Sequence, residues 1–307
     1  MIEAILYAVA GLAGLAVGGE LLVRGAVGIA RRIGVSTLFT GLVIVGFATS
    51  MPEMVASVQA ALSGSPEIAW GNIIGSNLAN TLLILGLAAV VAPIELVGTG
   101  KRDAVTALGV TLVLWALALS GIGARWVGGV LLVGIVAYIV WRYRHPGSSP
   151  PDTGAEAAPV RTLLAVLLFL GGLGVLVAGG NALVFGAIQL ATILRVPETV
   201  IGLTVVAVGT SLPELAASIA AALRGQPGLA LGNVVGSNIY NILLIGGATM
   251  SIAPFPLPAE LAGVQMALLT ASAVLLLALL WQAKRIGRTT GALLVAAFAG
   301  NVVLVFS

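Results

Sequence analysis

The sequence predicts an all-α polytopic membrane protein, in which ten transmembrane helices form two inverted five-helix repeats. The prediction rests on composition, an internal repeat and the distribution of loop charges. Of the 307 residues, 59% are apolar and only 8% are charged, whereas soluble proteins contain about 25% charged residues. Because such a chain cannot cover a soluble surface, the composition excludes soluble, nucleic-acid-binding and disordered proteins. At roughly 20 residues per span, the length suffices for about ten helices.

The apolar stretches predict the helices in chain order. The first stretch has no basic segment before it and is too long for a signal peptide, so we expect a membrane helix there. The predicted helices of the first half are 3–30, 37–63, 67–91, 103–121 and 125–142. Those of the second half are 161–190, 198–223, 228–252, 260–282 and 289–306.

A single linker rich in proline, glycine and serine separates the two halves near the middle of the chain. It is too short to hold a folded domain. We therefore expect a first five-helix repeat over residues 1–142, a cytoplasmic linker over 143–160, and a second, inverted five-helix repeat over 161–307.

The two halves are related in sequence. Residues 41–80 align without a gap with residues 202–241, at a constant offset of 161, and 21 of the 40 positions are identical. Chance similarity between apolar segments would match leucine, valine and alanine. Here threonine, serine, proline, glutamate and asparagine match as well, which indicates an internal repeat.

Loop charges predict the orientation. Five helices per half is an odd number, so the second half must enter the membrane with opposite polarity. With ten helices, the loops on the N-terminal side of the membrane hold two basic residues, and the loops on the opposite side hold eleven. By the positive-inside rule the side with eleven is cytoplasmic, and both termini face outward. Inverted repeats with polar, broken helices are typical of secondary transporters.

Three acidic residues lie inside predicted helices and away from their ends, at membrane depth, where a carboxylate must be paired, hydrated or bound to a cation. Glu20 has a partner in Arg24, four residues further along the same helical face, which indicates a structural or gating role. Glu53 and Glu214 have no such partner and occupy matching positions of the repeats. We expect them to meet at the centre and to bind a cation; the alternative is a protonated pair that serves only packing.

The residues before each glutamate supply further oxygens. The segments read GFATSMPE at 46–53 and AVGTSLPE at 207–214. A proline within a helix displaces the carbonyl four residues back, and the threonine and serine hydroxyls add neutral oxygens. Carboxylate, carbonyl and hydroxyl oxygens are the ligands of hard cations such as Ca²⁺. The alternative is a proline kink whose hydroxyls satisfy freed backbone groups.

A second motif reads GNIIGSNLAN at 71–80 and GNVVGSNIYN at 232–241. Serine and asparagine four residues apart share a helical face, and we expect them to bind ions: Ser76 with Asn80, and Ser237 with Asn241. For the glycines and the other four asparagines of the two copies, helix packing or interhelical hydrogen bonding is as consistent with the sequence as ion binding.

The sequence lacks the residues that several other kinds of active site require. The chain has no cysteine and one histidine, His145, so thiol chemistry, histidine metal clusters and a Ser-His-Asp hydrolase site are not expected. It has no phosphate-binding loop of the G-x-x-x-x-G-K-[ST] type. We expect no enzymatic activity, no cofactor, no nucleic acid and no obligate protein partner.

The two motifs, doubled and spaced in this way, resemble those of the calcium/cation antiporter superfamily, in particular the prokaryotic sodium/calcium exchangers. The resemblance covers essentially the whole chain. It implies a multi-pass protein of the plasma (inner) membrane that exchanges Ca²⁺ for Na⁺ by alternating access, with these ions and the lipid bilayer as its partners. It also implies that helices 3–30 and 161–190 form a tilted pair that slides across the remaining core.

Carried over by position, the resemblance implies one central ion site. Its residues would be the glutamates Glu53 and Glu214, the threonines Thr49 and Thr210, the serines Ser50, Ser211, Ser76 and Ser237, the asparagines Asn80 and Asn241, and carbonyls near Gly46 and Ala207. The glutamates would be the main Ca²⁺ ligands and the threonines would supply carbonyls. The four serines, with the carbonyls near Gly46 and Ala207, would complete flanking Na⁺ sites, and the two asparagines would line the middle of the cavity.

The chain departs from its relatives at two points. Many prokaryotic members and the potassium-dependent branch carry aspartate at the Asn241 position, and the linker holds no counterpart of the regulatory calcium-binding domain of animal exchangers. An H⁺/Ca²⁺ antiporter is the alternative, although that branch places an acidic residue where Gly75 and Gly236 stand. A cation channel or a receptor that transports nothing fits the inverted repeats poorly.

Overall fold

The computed structural model describes residues 1–96, 100–145, 161–194 and 209–306, and almost all of them are helical. The helices of the first half are α1 (Ile2–Ile33), α2 (Thr37–Thr49), α3 (Met51–Leu62), α4 (Pro66–Leu78), α5 (Leu85–Val91), α6 (Lys101–Ser120) and α7 (Arg125–Arg144). Those of the second half are α8 (Thr162–Ile193), α9 (Leu212–Leu223), α10 (Pro227–Tyr240), α11 (Gly246–Ile252), α12 (Val264–Gln282) and α13 (Arg288–Phe306).

The helical, multi-pass membrane architecture is confirmed. Seven helical segments of the described chain are long and apolar enough to cross a membrane, and eight if the bent pair α2–α3 forms one span. The first part of the predicted helix 198–223 and most of the linker 143–160 lie outside the described residues. The count of ten helices and the division into two repeats therefore remain predictions.

Two predicted helices are interrupted by π-helical turns, in which backbone bonds span five residues instead of four. One π segment, Ala79–Ile84, separates α4 from α5, and another, Asn241–Ile245, separates α10 from α11. They lie at matching positions of the two aligned segments. A third π segment, Thr40–Val45, lies within α2.

The two longest helices, α1 and α8, pack against each other with backbones in close approach. A Cβ added at Gly18 would meet Gly172 O at 2.9 Å, and one added at Gly14 would meet Gly179 Cα at 2.9 Å. Because Gly25 in turn meets Phe169, residue numbers rise along α1 while they fall along α8. The two helices therefore run antiparallel.

A short antiparallel ribbon and a glycine contact join the first half to the second. Ile94–Glu95 pairs with Arg285–Ile286, with Ile94 opposite Ile286. Beside this ribbon, α5 crosses α13 where a Cβ on Gly86 would meet Gly291 O at 2.9 Å. Helix α10 occupies the middle of the molecule, with all residues from Gly228 to Tyr240 buried. The polar side chains of its motif therefore face protein on every side.

Candidate functional site

Each glutamate of the repeated motif stands in the first turn of a helix. The predicted helix 37–63 is broken: α2 ends before Ser50 and α3 begins at Met51, with a bend of 43° between them. The prediction of a proline inside one helix is therefore wrong, because Pro52 lies in the first turn of α3, where its missing N–H has no intrahelical partner to lose. Helix α9 likewise begins with Leu212 and Pro213, directly before Glu214.

Crossed serine contacts bring the two glutamates together. Ser50 Oγ donates a hydrogen bond to Glu214 Oε1 at 3.4 Å, and Ser211 Oγ donates one to Glu53 Oε1 at 3.1 Å. Both glutamates are almost fully buried, with 2% and 1% of their surface exposed. The second oxygen of each, Oε2, is buried without a hydrogen-bond partner among the described residues.

Two asparagines of the second motif fix the helices that carry the glutamates. Asn72 Nδ2 donates to the main-chain oxygen of Glu53 at 3.2 Å and to Ser57 Oγ at 2.9 Å. Asn233 Nδ2 makes the same pair of bonds, at the same distances, to the main-chain oxygen of Glu214 and to Ser218 Oγ. These asparagines hold each second-motif helix against its glutamate helix by interhelical hydrogen bonds.

The predicted serine and asparagine ligands of the second motif present free oxygens. Ser76 Oγ, Ser237 Oγ, Asn80 Oδ1 and Asn241 Oδ1 are buried and have no hydrogen-bond partner within the part of the chain that the structure describes. Asn80 and Asn241 both belong to the matched π segments. Asn241 Nδ2 donates to Asn77 Oδ1 at 3.5 Å, so its amide group directs its carbonyl oxygen elsewhere.

The remaining predicted residues differ in how their oxygens are used. The Thr49 hydroxyl lies 3.0 Å from Val45 O and 3.2 Å from Asn233 Oδ1, and its one proton can be donated to either acceptor. Gly46 O accepts from Ser50 N at 3.1 Å and keeps a second lone pair. Thr210 Oγ1 is buried without a partner among the described residues. Ala207 lies outside them.

No basic side chain among the described residues forms an ion pair with either glutamate of this cluster, Glu53 or Glu214. In the same ranges, no group of three or more His, Cys, Asp or Glu side chains could hold a metal ion. The chemistry of the cluster is therefore two carboxylates amid neutral oxygens, the kinds of ligand that hard cations prefer.

Among the described residues, three ion pairs lie outside this cluster, in two groups. The predicted pair of Glu20 and Arg24 is confirmed, with Arg24 Nε 2.8 Å from Glu20 Oε1, but Arg224 also binds Glu20 through Nε and Nη2. Between α6 and α7, Arg142 Nε is 2.9 Å from Asp103 Oδ1, and both side chains are buried. The sequence analysis missed Arg224 and Asp103 as partners because both contacts join separate helices.

Comparison with known proteins identifies the family. The family model described as sodium/calcium exchanger protein matches residues 3–144 and 164–307. The protein CaxA of Alkalimonas amylolytica is 37% identical over the full length of both chains. The sodium/calcium exchanger MaX1 of Methanosarcina acetivorans is 29% identical, over 77% of this chain and 79% of its own.

Solved structures give the same answer for the fold. The structure of the sodium-calcium exchanger NCX_Mj soaked with Na⁺ and Sr²⁺ matches with a TM-score of 0.86 and 31% identity, over 98% of both chains. The same exchanger soaked without Na⁺ and Ca²⁺ matches with a TM-score of 0.87. The chain shares a membrane-embedded, all-helical exchanger fold with these proteins, and it belongs to the sodium/calcium exchanger family.

Proposed function

We propose that the protein is a secondary antiporter that exchanges Ca²⁺ for Na⁺ by alternating access at one central two-glutamate site. The observation that carries the proposal is the crossed arrangement of the two motifs. Each glutamate is oriented by the serine of the other motif, and each keeps one buried oxygen without a partner. A buried carboxylate oxygen with no donor is costly in a dry interior unless the group is protonated or a cation binds it, and the unpartnered neutral oxygens around it favour the cation.

The ligands of the site come from both motifs. Glu53 and Glu214 bind Ca²⁺ directly and also serve Na⁺. The surrounding neutral oxygens complete the coordination: the carbonyls of Thr49, Thr210, Gly46 and Ala207, and the side chains of Ser50, Ser211, Ser76, Ser237, Asn80 and Asn241. For six of these side chains, the two glutamates, Ser76, Ser237, Asn80 and Asn241, the support is a buried oxygen without a partner among the described residues.

Charge counting constrains the exchange cycle. Two carboxylates balance one Ca²⁺ or two Na⁺, so the site is electrically neutral with either load. A neutral loaded site can change its exposure from one side of the membrane to the other without carrying a net charge through a medium of low dielectric constant. A third Na⁺ leaves a net charge of +1 in the site. Exchange of more than two Na⁺ per Ca²⁺ is therefore electrogenic.

The transport model requires an inverted architecture of ten membrane helices. Support comes from the family model, which matches the two halves as separate segments, and from the antiparallel packing of α1 and α8, the first helix of each half. With eleven basic loop residues on one side and two on the other, we place both termini outside the plasma (inner) membrane and the linker in the cytoplasm.

Flux in reconstituted vesicles tests the proposal. Proteoliposomes are loaded with Na⁺ and diluted into choline buffer that contains ⁴⁵Ca²⁺, and the outward Na⁺ gradient is expected to drive uptake. Collapsing the gradient with a Na⁺ ionophore should abolish uptake. Matched vesicles with an outward H⁺ gradient and no Na⁺ serve as the comparison. Uptake driven by H⁺ and unaffected by Na⁺ would instead establish an H⁺/Ca²⁺ antiporter, and uptake without either gradient would indicate a channel.

A further inference from the structure

The ion cluster of Glu20, Arg24 and Arg224, here called the triad, joins two parts of the fold that the proposed mechanism moves. Glu20 and Arg24 belong to α1, and Arg224 directly follows α9, the helix whose first turn carries Glu214. Arg224 holds the Glu20 carboxylate through two nitrogens, one on each carboxylate oxygen. A forked contact of this kind is among the stronger and more directional charge-assisted contacts.

Helix α1 packs against α8 on one side and against α9 on the other. Towards α8 the glycines bring backbone against backbone, so the two helices can move only together. Towards α9 a cleft of about 340 Å³ separates Leu12, Leu15 and Ala16 from Leu215, Ala216 and Ile219. Next to Glu20, α1 also packs against α9, since a Cβ added at Gly19 would meet Ala216 O at 2.9 Å. If the α1–α8 pair slides across the core as the family resemblance implies, this interface with α9 is the one that must shear, and the triad bridges it.

The internal repeat gives the triad no ionic counterpart. At the offset of 161 the residue that matches Glu20 is Asn181, and the residue that matches Arg224 is Ser63. In an inverted-repeat transporter the two halves exchange conformations between the two states. The contact between α1 and the end of α9 in one state therefore becomes the contact between α8 and the end of α3 in the other. One of these contacts is ionic and the other is neutral.

We infer that the triad is a latch that holds the cytoplasmic side of the exchanger closed and biases it toward the conformation that is open to the outside. In the proposed topology Arg224 lies in a cytoplasmic loop, so the contact closes that side. The inference rests on the proposed function for its two conformations, and it predicts unequal populations of them even without an ion gradient. Breaking the triad releases the α1–α8 pair toward the inward-open arrangement.

Thiol accessibility measures these populations directly, because the chain contains no cysteine. Ile219→Cys places one thiol in the cleft. In inverted vesicles, a membrane-impermeant thiol reagent reaches this cysteine from the cytoplasmic side. We expect Arg224→Gln to raise the labelling rate about fivefold, because a partly exposed ion pair contributes at most about 1 kcal/mol. Arg144→Gln, which removes an exposed arginine outside the triad on the same side, should leave the rate unchanged.

Exchanging the charges provides the second variant. Glu20→Arg combined with Arg224→Glu rebuilds a cluster of one glutamate and two arginines, and the labelling rate should return to within twofold of the parent. Failure of that return, or an unchanged rate in Arg224→Gln, would overturn the latch even if Na⁺/Ca²⁺ exchange is intact. Conversely, the expected labelling pattern in a chain that fails to exchange Ca²⁺ for Na⁺ would support the latch and refute the proposed ions.

Discussion

Glu214→Gln is the sharpest perturbation of the proposed site, because it removes one charge while keeping the size and hydrogen bonding of the side chain. In the structure Glu214 Oε1 accepts a hydrogen bond from Ser50, and an amide oxygen can accept the same bond. The variant should therefore fold. Without ions it should unfold at a temperature equal to or above that of the parent, because one of two buried like charges has gone.

The magnitude follows from the charges. At an effective dielectric constant of about 20, two unit charges about 4 Å apart attract by about 4 kcal/mol. Removing the carboxylate charge weakens binding by about that much for Na⁺ and by about twice that for Ca²⁺. Since about 1.4 kcal/mol is tenfold in affinity, the preference for Ca²⁺ over Na⁺ should fall about a thousandfold.

Ligand-dependent thermal unfolding provides the assay, since an ion that binds only the folded protein raises its unfolding temperature. Ca²⁺ and Na⁺ are titrated separately into the purified parent, Glu214→Gln, and Glu3→Gln as a control that removes an exposed carboxylate at the start of α1. The control should behave as the parent does. If Glu214→Gln keeps a Ca²⁺ affinity within tenfold of the parent, the two-glutamate site is refuted.

Three further predictions concern topology, ion selectivity and stability. Cysteines introduced near either terminus should react with impermeant reagents only from the outside, and labelling only from the cytoplasm would reverse the topology. Because Asn80 and Asn241 are neutral, Ca²⁺ flux should be equal with K⁺ or choline as balancing cation; a strict K⁺ requirement would contradict the charge count. Arg142→Ala removes the ion-pair partner of the buried Asp103 carboxylate, which keeps the hydrogen bond from Tyr138, and should cost about 3–5 kcal/mol of unfolding free energy in detergent. Asp103→Leu plus Arg142→Met, with Tyr138→Phe so that no hydroxyl loses its acceptor, should recover most of it.

Sequence alone predicted the features that local pattern determines. The helical membrane fold follows from composition, and the pair of Glu20 and Arg24 follows from helical spacing, four residues apart. The proximity of Glu53 and Glu214 followed from the repeat, because matching positions about a pseudo-two-fold axis meet at the centre. The crossed contacts of Ser50 and Ser211 are in accord with that expectation.

The features that the sequence did not predict depend on tertiary contacts or on backbone hydrogen bonding, which the apolar pattern does not reveal. A proline in the first turn of a helix and one inside a helix have the same local sequence, so the break at Ser50 was not predicted. Arg224 binds Glu20 of a separate helix, and Arg142 binds Asp103 of another helix. Only tertiary packing determines these pairings. The π segments change the hydrogen-bond register without changing the apolar pattern.

The matched π segments also alter the phase of each helix. One residue corresponds to about 100° of rotation in an α-helix. The extra residue that a π turn accommodates therefore changes, by that angle, which residues after the turn share a face with those before it. Helix α4 can thus present Ser76 to the centre while α5, along the same span, presents Gly86 to Gly291 of α13. Losing one residue from Ala79–Ile84 would allow a regular α-helix in which both surfaces keep their partners, whereas losing one from the regular turns of α4 would rotate one surface away by about 100°. In relatives, a gap of one residue at this point would therefore indicate a regular helix with the same two surfaces, not a rearranged fold.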